Sequence, residues 1–367
     1  MPKCLSHPIA HIAVDLYNQI AHSRGDHQDN VIYSPLSVAA VLAMALGGAG
    51  SKTADELFSV LHAKGDKIHE KFAEFLPKLS SHSQKVHFYV ANRIYSDQKF
   101  PVLDSYANFL KESYGSAIVP VDFENSSEAI RVGINVWAKT ATASKIADLL
   151  KRGTVGPSTS VMLVNATYFK GAWKSPFKAG STSRRDFHVS CNAKVQVEMM
   201  NQQQTFATSS CSHLKARAIE LMYDGGNASM VILLPDEIEG LSHLERNLSI
   251  ARLKAIVDDL KDTPDVMLSL PKVHLEQGLS LKNALVAMGV VALFSNSCDL
   301  SAAFMNGKPV VSDIVHKSLL NIDEEGTEPA SSPAETVNKS ASQSGEKSTE
   351  FIVDHPFMWF IRGRSQA

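Results

Sequence analysis

The sequence predicts an α+β fold, and three observations carry that prediction. Helical periodicity dominates between His7 and Glu56, and β-branched segments with a period near two recur from Val86 onward. The two kinds of segment mix without the regular strand–helix alternation of a parallel α/β protein. No internal repeat and no polar linker divides the chain before residue 326, so one large domain over 1–367 is expected.

Each element follows from local chemistry. Over 7–21, Ile9, Ile12, Ala13, Leu16, Tyr17 and Ile20 fall on one helical face. Ser34-Pro35 starts a second helix, apolar over 36–46 and halted at Gly47-Gly48. Thr53-Ala-Asp-Glu56 has capping-box spacing and predicts a third. Strands are predicted over 86–92 and 160–169, the second central because it is apolar on both faces. Helices are expected over 104–113, 127–140 and 145–150. Strands follow over 195–200, 218–222 and 230–234, with a turn at Gly225-Gly226-Asn227, and a helix returns over 283–288.

Composition excludes several function classes. The chain has 367 residues, and 44% hydrophobic content suffices for a substantial core. Its net charge is −2 from 36 basic and 38 acidic residues, with no long block of either sign, so neither a nucleic-acid nor a membrane partner is expected. Met1-Pro-Lys-Cys-Leu-Ser is not a signal peptide, which favours a cytoplasmic location. Asn-x-Ser/Thr triplets at Asn125, Asn165, Asn227, Asn247 and Asn338 suit instead a secreted glycoprotein. The four cysteines form neither zinc pairs nor a disulfide scaffold and read as packing residues or free thiols.

No catalytic, metal or cofactor constellation emerges. Gly47-Gly-Ala-Gly-Ser-Lys-Thr53 lacks the glycine before lysine and the leading strand of a phosphate-binding loop, so it reads as a helix-ending turn. His7 and His11 have helical ligand spacing but no recognisable third partner, and no metal is expected. There is no Gly-x-Ser-x-Gly elbow and no signature of a catalytic thiol. Asn165 is a polar group in an apolar strand and needs hydrogen-bond partners if buried.

Seven motifs in one order resemble the serpin family: Asn30-Val-Ile-Tyr-Ser34-Pro35-Leu-Ser37, Asn135-Val-Trp137, Leu163-Val-Asn165-Ala-Thr-Tyr-Phe-Lys-Gly171-Ala-Trp173, Val231-Ile-Leu-Leu-Pro235, Leu270-Pro-Lys272, Glu324-Glu-Gly-Thr-Glu328 and Asp354-His-Pro-Phe357. The resemblance spans nearly the whole chain. It implies three β-sheets, eight or nine helices, and a reactive-centre loop over 326–350. It also implies a monomeric suicide inhibitor of serine proteases, consumed rather than catalytic, and extracellular. In that mechanism the cleaved loop enters the central sheet as an added strand and carries the acylated protease with it.

By the same resemblance Ser34, Ser37, Asn165 and His316 form the polar cluster where the sheet opens, and Trp173 and Lys272 mark its upper part. Glu324, Glu325, Gly326, Thr327, Glu328, Pro329, Ala330, Ser331 and Ser332 are the hinge. The bait bond lies among Lys339, Ser340, Ala341, Lys347 and Ser348, the lysines suiting trypsin-like and Ser340-Ala341 elastase-like enzymes.

The loop departs from the pattern. Thr327, Pro329, Ser331, Pro333 and Glu335 would point into the sheet, where each proline removes a ladder donor and Glu335 buries a carboxylate. Inefficient inhibition is therefore expected, with a non-inhibitory binding protein or a protease substrate as the alternative. The stretch to Pro356 is about five residues longer than the family's usual spacing. The family's final apolar strand is missing after 363, which suggests a C-terminally shortened member with an open sheet edge.

Overall fold

The computed structural model describes residues 3–23, 29–63, 67–81, 86–326 and 348–363. They divide into two compact units, neither continuous in sequence. One holds the described residues within 1–82, 87–169 and 275–320, the other those within 83–86, 170–274 and 321–367.

The first unit carries helices α1 (Lys3–Ser23), α2 (Pro35–Gly48), α3 (Ser51–Val60), α4 (Lys67–Ser81), α5 (Asp104–Tyr114), α6 (Phe123–Ala141) and the short Lys282–Ala287. Its sheet contains β1 (Val86–Asp97), β2 (Ile118–Val121), β3 (Val161–Gly171), β9 (Val273–Ser280) and β10 (Val311–Ile322), in the order β2-β1-β3-β10-β9. The strand alternation splits the core in two. Val161 and Leu163 of β3 join Ile314 of β10 in one cluster with α1 and α2. Met162, Val164, Ala166 and Tyr168 join Val315 and Leu319 in a second cluster with Ile134 and Ala138 of α6. The predicted two-faced burial of β3 is thus observed.

The second unit is built on β4 (Ser183–Ser190), β5 (Ala193–Cys211), β6 (Ala216–Met222), β7 (Ala228–Pro235), β8 (Lys261–Pro271), β11 (Thr349–Ile352) and β12 (Met358–Gly363). These form one seven-stranded sheet, β11-β8-β5-β6-β7-β12, with β4 paired to β5. Among the described residues there are therefore two hydrogen-bonded sheets rather than the expected three. The 19-residue β5 pairs with β4, β6 and β8 along its length and makes one ladder of what separate strands would divide. Two family-like motifs meet here: His355 lies 2.9 Å from the Pro235 carbonyl oxygen and 2.8 Å from the Asp354 carboxylate. Helices Leu241–Asn247 and Ile250–Asp258 complete nine α-helices among the described residues.

Local signals held where backbone chemistry decided them. Ser34 caps α2, its Oγ accepting from Ser37 N–H at 3.3 Å, with Pro35 in the first turn. Helix α2 ends at Gly48, where added Cβ atoms on Gly47 and Gly48 would come within 2.2 Å of Phe109 and 2.7 Å of Ala303. Those glycines serve close packing, as a helix-ending turn rather than a phosphate loop. Gly225 and Gly226 take φ of 86° and 71° in the predicted turn.

Three local expectations are corrected. The Thr53/Glu56 capping box does not form, because α3 starts earlier, at Ser51. Thr53 Oγ1 instead accepts from Asp299 N–H, and Glu56 Oε2 accepts from Val291 and Ala292 N–H at 2.8 and 2.7 Å. Residues 145–150 are not helical: the Asn135 amide clamps Leu150, donating to its carbonyl at 3.0 Å and accepting from its N–H at 2.8 Å. Asn165 is no glycosylation acceptor, being 1% exposed and hydrogen-bonded at its side chain. Asn125 is exposed, Asn227 and Asn247 are half-buried, and Asn338 lies outside the described residues.

Asn135→Ala leaves the buried Leu150 N–H unpaired and is expected to destabilise the fold by about 1–3 kcal/mol. Urea denaturation of the variant checks this, and an unchanged midpoint refutes the clamp.

Candidate functional site: a polar strand seam and a loop hinge

In the first unit, β3 and β10 run parallel, pairing from Val161↔Val311 to Tyr168↔Leu319 with a register shift at Ser312 and unbroken register from Met162↔Asp313 onward. On the face toward α2 the apolar residues Val161, Leu163 and Ile314 give way to Asn165, Thr167, His316 and Ser318. All four are buried, and His316 has no exposed surface. Asn165 sits opposite His316, and Thr167 opposite Ser318.

The cluster is closed by hydrogen bonds. His316 Nε2 accepts from Ser34 N–H at 2.9 Å and lies 2.7 Å from Ser318 Oγ, so the ring proton sits on Nδ1, which faces Asn165 Oδ1. Asn165 Oδ1 also accepts from Thr167 Oγ1 at 3.2 Å, and its Nδ2 donates to Asn92 Oδ1 of β1. Ser37 Oγ lies 2.8 Å from Thr167 Oγ1 and accepts from Ser34 Oγ at 3.0 Å. Ser34, Ser37, Asn165 and His316 are therefore brought together as expected; Asn92, Thr167 and Ser318 belong with them, and only their in-register neighbours could have revealed them. Burial drives the His316 imidazole down to about 3, and the neutral ring serves as donor and acceptor at once.

In the second unit, the chain leaves β10 and reverses at Asp323–Gly326. Asp323 N–H donates to the Gly326 carbonyl at 2.8 Å and Asp323 Oδ1 accepts from Glu325 and Gly326 N–H at 3.0 and 3.2 Å. Gly326 then bridges antiparallel to Ala172. At its φ of 144°, an added Cβ would lie 2.1 Å from the Gly171 carbonyl oxygen, so only glycine fits.

Trp173 and Lys272 hold this turn. Trp173 N–H donates to Glu325 O at 2.9 Å and its indole Nε1–H to Asp323 O at 3.0 Å, while the ring stacks on Tyr223 at 4.6 Å. Glu324, 14% exposed at its side chain, pairs with Lys272 at 2.8 Å and accepts from Thr182 Oγ1 at 2.7 Å. Burial works to raise its carboxyl, but those two partners and its backbone outweigh burial and hold it below the ordinary carboxylate range. Burial pushes the neighbouring Asp323 carboxyl up.

Of the other predicted site residues, Ser348 is half-buried just before β11. Thr327, Glu328, Pro329, Ala330, Ser331 and Ser332, with Lys339, Ser340, Ala341 and Lys347, lie outside the described residues.

This combination, a polar seam between two parallel strands with a glycine hinge leaving one of them, is what the resemblance to serpins implies for these residues. Residues 7–367 match the family model described as serpin (serine protease inhibitor), and the chain belongs to the serpin family. It is 43% identical to Iris from Ixodes ricinus over 361 residues, covering 98% of this chain and 96% of that protein. It is 34% identical to leukocyte elastase inhibitor from Homo sapiens, again covering 98% and 96%. The structure of Serpin48 from the insect Tenebrio molitor superposes with a TM-score of 0.87 at 31% identity, covering 99% of this chain and 96% of that one. Strand β12 stands at the end of its sheet's strand order among the described residues.

Two predictions follow from the cluster and the hinge. An imidazole held near 3 in the fold and near its ordinary value when unfolded binds more protons unfolded, so stability is lost as pH falls from about 6.5 towards 3. His316→Gln is expected to flatten that slope by up to about tenfold in the unfolding constant per pH unit, read from denaturation curves at several pH values. Gly326→Val is expected to break the bridge to Ala172, seen as faster hydrogen exchange at the Trp173 amide; unchanged protection contradicts the fit argument.

Proposed function

We propose that this protein inhibits serine proteases as a suicide substrate, through insertion of its cleaved loop between β3 and β10. The observation that carries the reading is the reversal at Asp323–Gly326, which turns the chain antiparallel to the strand it has just left. Because β3 and β10 are parallel, a loop following that turn is antiparallel to both. One parallel pairing is exchanged for two antiparallel ones, each slightly more stable per residue, and the strand gains a full set of ladder bonds.

Parting the strands also separates Asn165 from His316 and Thr167 from Ser318. The Asn165–His316 hydrogen bond joins neutral groups, so it can be remade with an incoming backbone without moving a charge through the sheet. Glu325 adds a bias toward leaving the turn, since its Oε2 is buried without a hydrogen-bond partner.

Trypsin-like enzymes are the targets favoured by Lys339 and Lys347, elastase-like ones by Ser340-Ala341. Pro329 and Pro333 at inward positions slow insertion, so part of the acyl-enzyme hydrolyses and releases active protease. A substrate-like outcome is therefore the competing reading, and the same residues favour it.

Incubation with trypsin and with elastase, followed by denaturing electrophoresis, tests the proposal. The expected result is an SDS-stable complex beside a cleaved fraction, with more than one inhibitor consumed per protease. Pro329→Ala with Pro333→Ala is expected to bring that ratio toward one. Complete cleavage without complex, and without a rise in melting temperature of the cleaved chain, would sink the inhibitory reading.

A further inference from the structure

Spacing along α1 sets Asp15 one turn beyond His7 and His11, and the fold adds His62. Positions 7, 11 and 15 lie on one stripe of α1, four residues apart. Helix α3 ends beside that stripe, and His62, just past its C-cap Leu61, takes a φ of 47°, uncommon for a residue other than glycine. His62 Nε2 lies 2.8 Å from Asp15 Oδ2, and the His62 and His11 rings are 4.2 Å apart. One donor atom each from His11, Asp15 and His62 fall within 4.8 Å of one another. His7 extends the group, its Nε2 3.1 Å from His11 Nε2 and the rings 4.3 Å apart.

Packing three imidazoles together needs a reason. None of the groups is fully buried: His7 is exposed, and His11, Asp15 and His62 are half-buried, so hydrophobic burial does not force them together. Two ligand nitrogens about 2.0–2.1 Å from a tetrahedral zinc are about 3.3 Å apart, close to the His7–His11 separation.

We propose that His7, His11, Asp15 and His62 bind one divalent transition-metal ion of the zinc class, which ties α1 to the end of α3. Three imidazoles and one carboxylate suit zinc, cobalt, nickel or copper and not the all-oxygen preference of magnesium or calcium. His11, Asp15 and His62 supply three donors, and turning His7 toward the ion fills the fourth position, so the role is structural, not catalytic. The expectation of no metal, drawn from sequence spacing, is thereby revised: its missing ligand lies 47 residues from Asp15 and is delivered by tertiary contact.

The test uses the full chain, stripped with a chelator and titrated with zinc chloride by calorimetry. One equivalent is expected to bind and to raise the melting temperature by a few degrees. His11→Asn and His62→Asn should each weaken binding at least about tenfold, whereas His22→Gln, elsewhere on α1, should not. Cobalt(II) added to the unmutated chain provides a readout independent of variant folding, with intense visible absorption of a four-coordinate ion expected. Failure to take up one equivalent, uptake unchanged in both histidine variants, or a six-coordinate aquo-type cobalt spectrum would overturn the site.

Discussion

The pairing of Asn165 with His316 across two parallel strands is the constraint on which the rest depends. Apolar contacts alone would make β3 and β10 a permanent pair, as the flanking Val161, Leu163 and Ile314 show. Instead the face toward α2 carries a closed set of neutral donors and acceptors, tied to the backbone of Ser34 at the start of that helix. A charged cluster would hold the strands more tightly but would be costly to pull apart in a low-dielectric interior. Burial keeps His316 neutral, so the seam is specific in register yet separable.

The hinge obeys a complementary logic. Glu324 is anchored by Lys272 and Thr182, and Trp173 holds the carbonyls on either side of it, whereas Gly326 is held through its backbone, by Asp323 and the bridge to Ala172. The fixed side of the turn sets the direction in which the chain sets off, and the glycine is where a side chain would obstruct it. Direction follows from position in the turn, and Gly326 leaves it antiparallel to Ala172.

Much of this was legible in the sequence. The alternation of β3 exposes its two faces directly, and the polar Asn165 within it demanded partners that the register then supplied. Ser34 and Pro35 announced a helix start because capping is local chemistry. Where tertiary contacts override local signals, the sequence misled. Glu56 fits a capping box but serves the backbone of residues 291 and 292, and 145–150 has helical character that the Asn135 clamp overrides. Helix α4, which holds Pro77 in its last turns, was not assigned from the sequence. His62 could not be joined to His11 from spacing, since a left-handed residue after α3 brings it there.

The central claim is that the cleaved loop enters between β3 and β10, and a crystal structure of the loop-cleaved protein tests it most directly. The account predicts loop residues following Gly326 paired antiparallel to both strands, with β3 and β10 moved from neighbours at about 4.8 Å to roughly 10 Å apart. A cleaved form that keeps the Val161↔Val311 to Tyr168↔Leu319 register, with the loop outside the sheet, would contradict it.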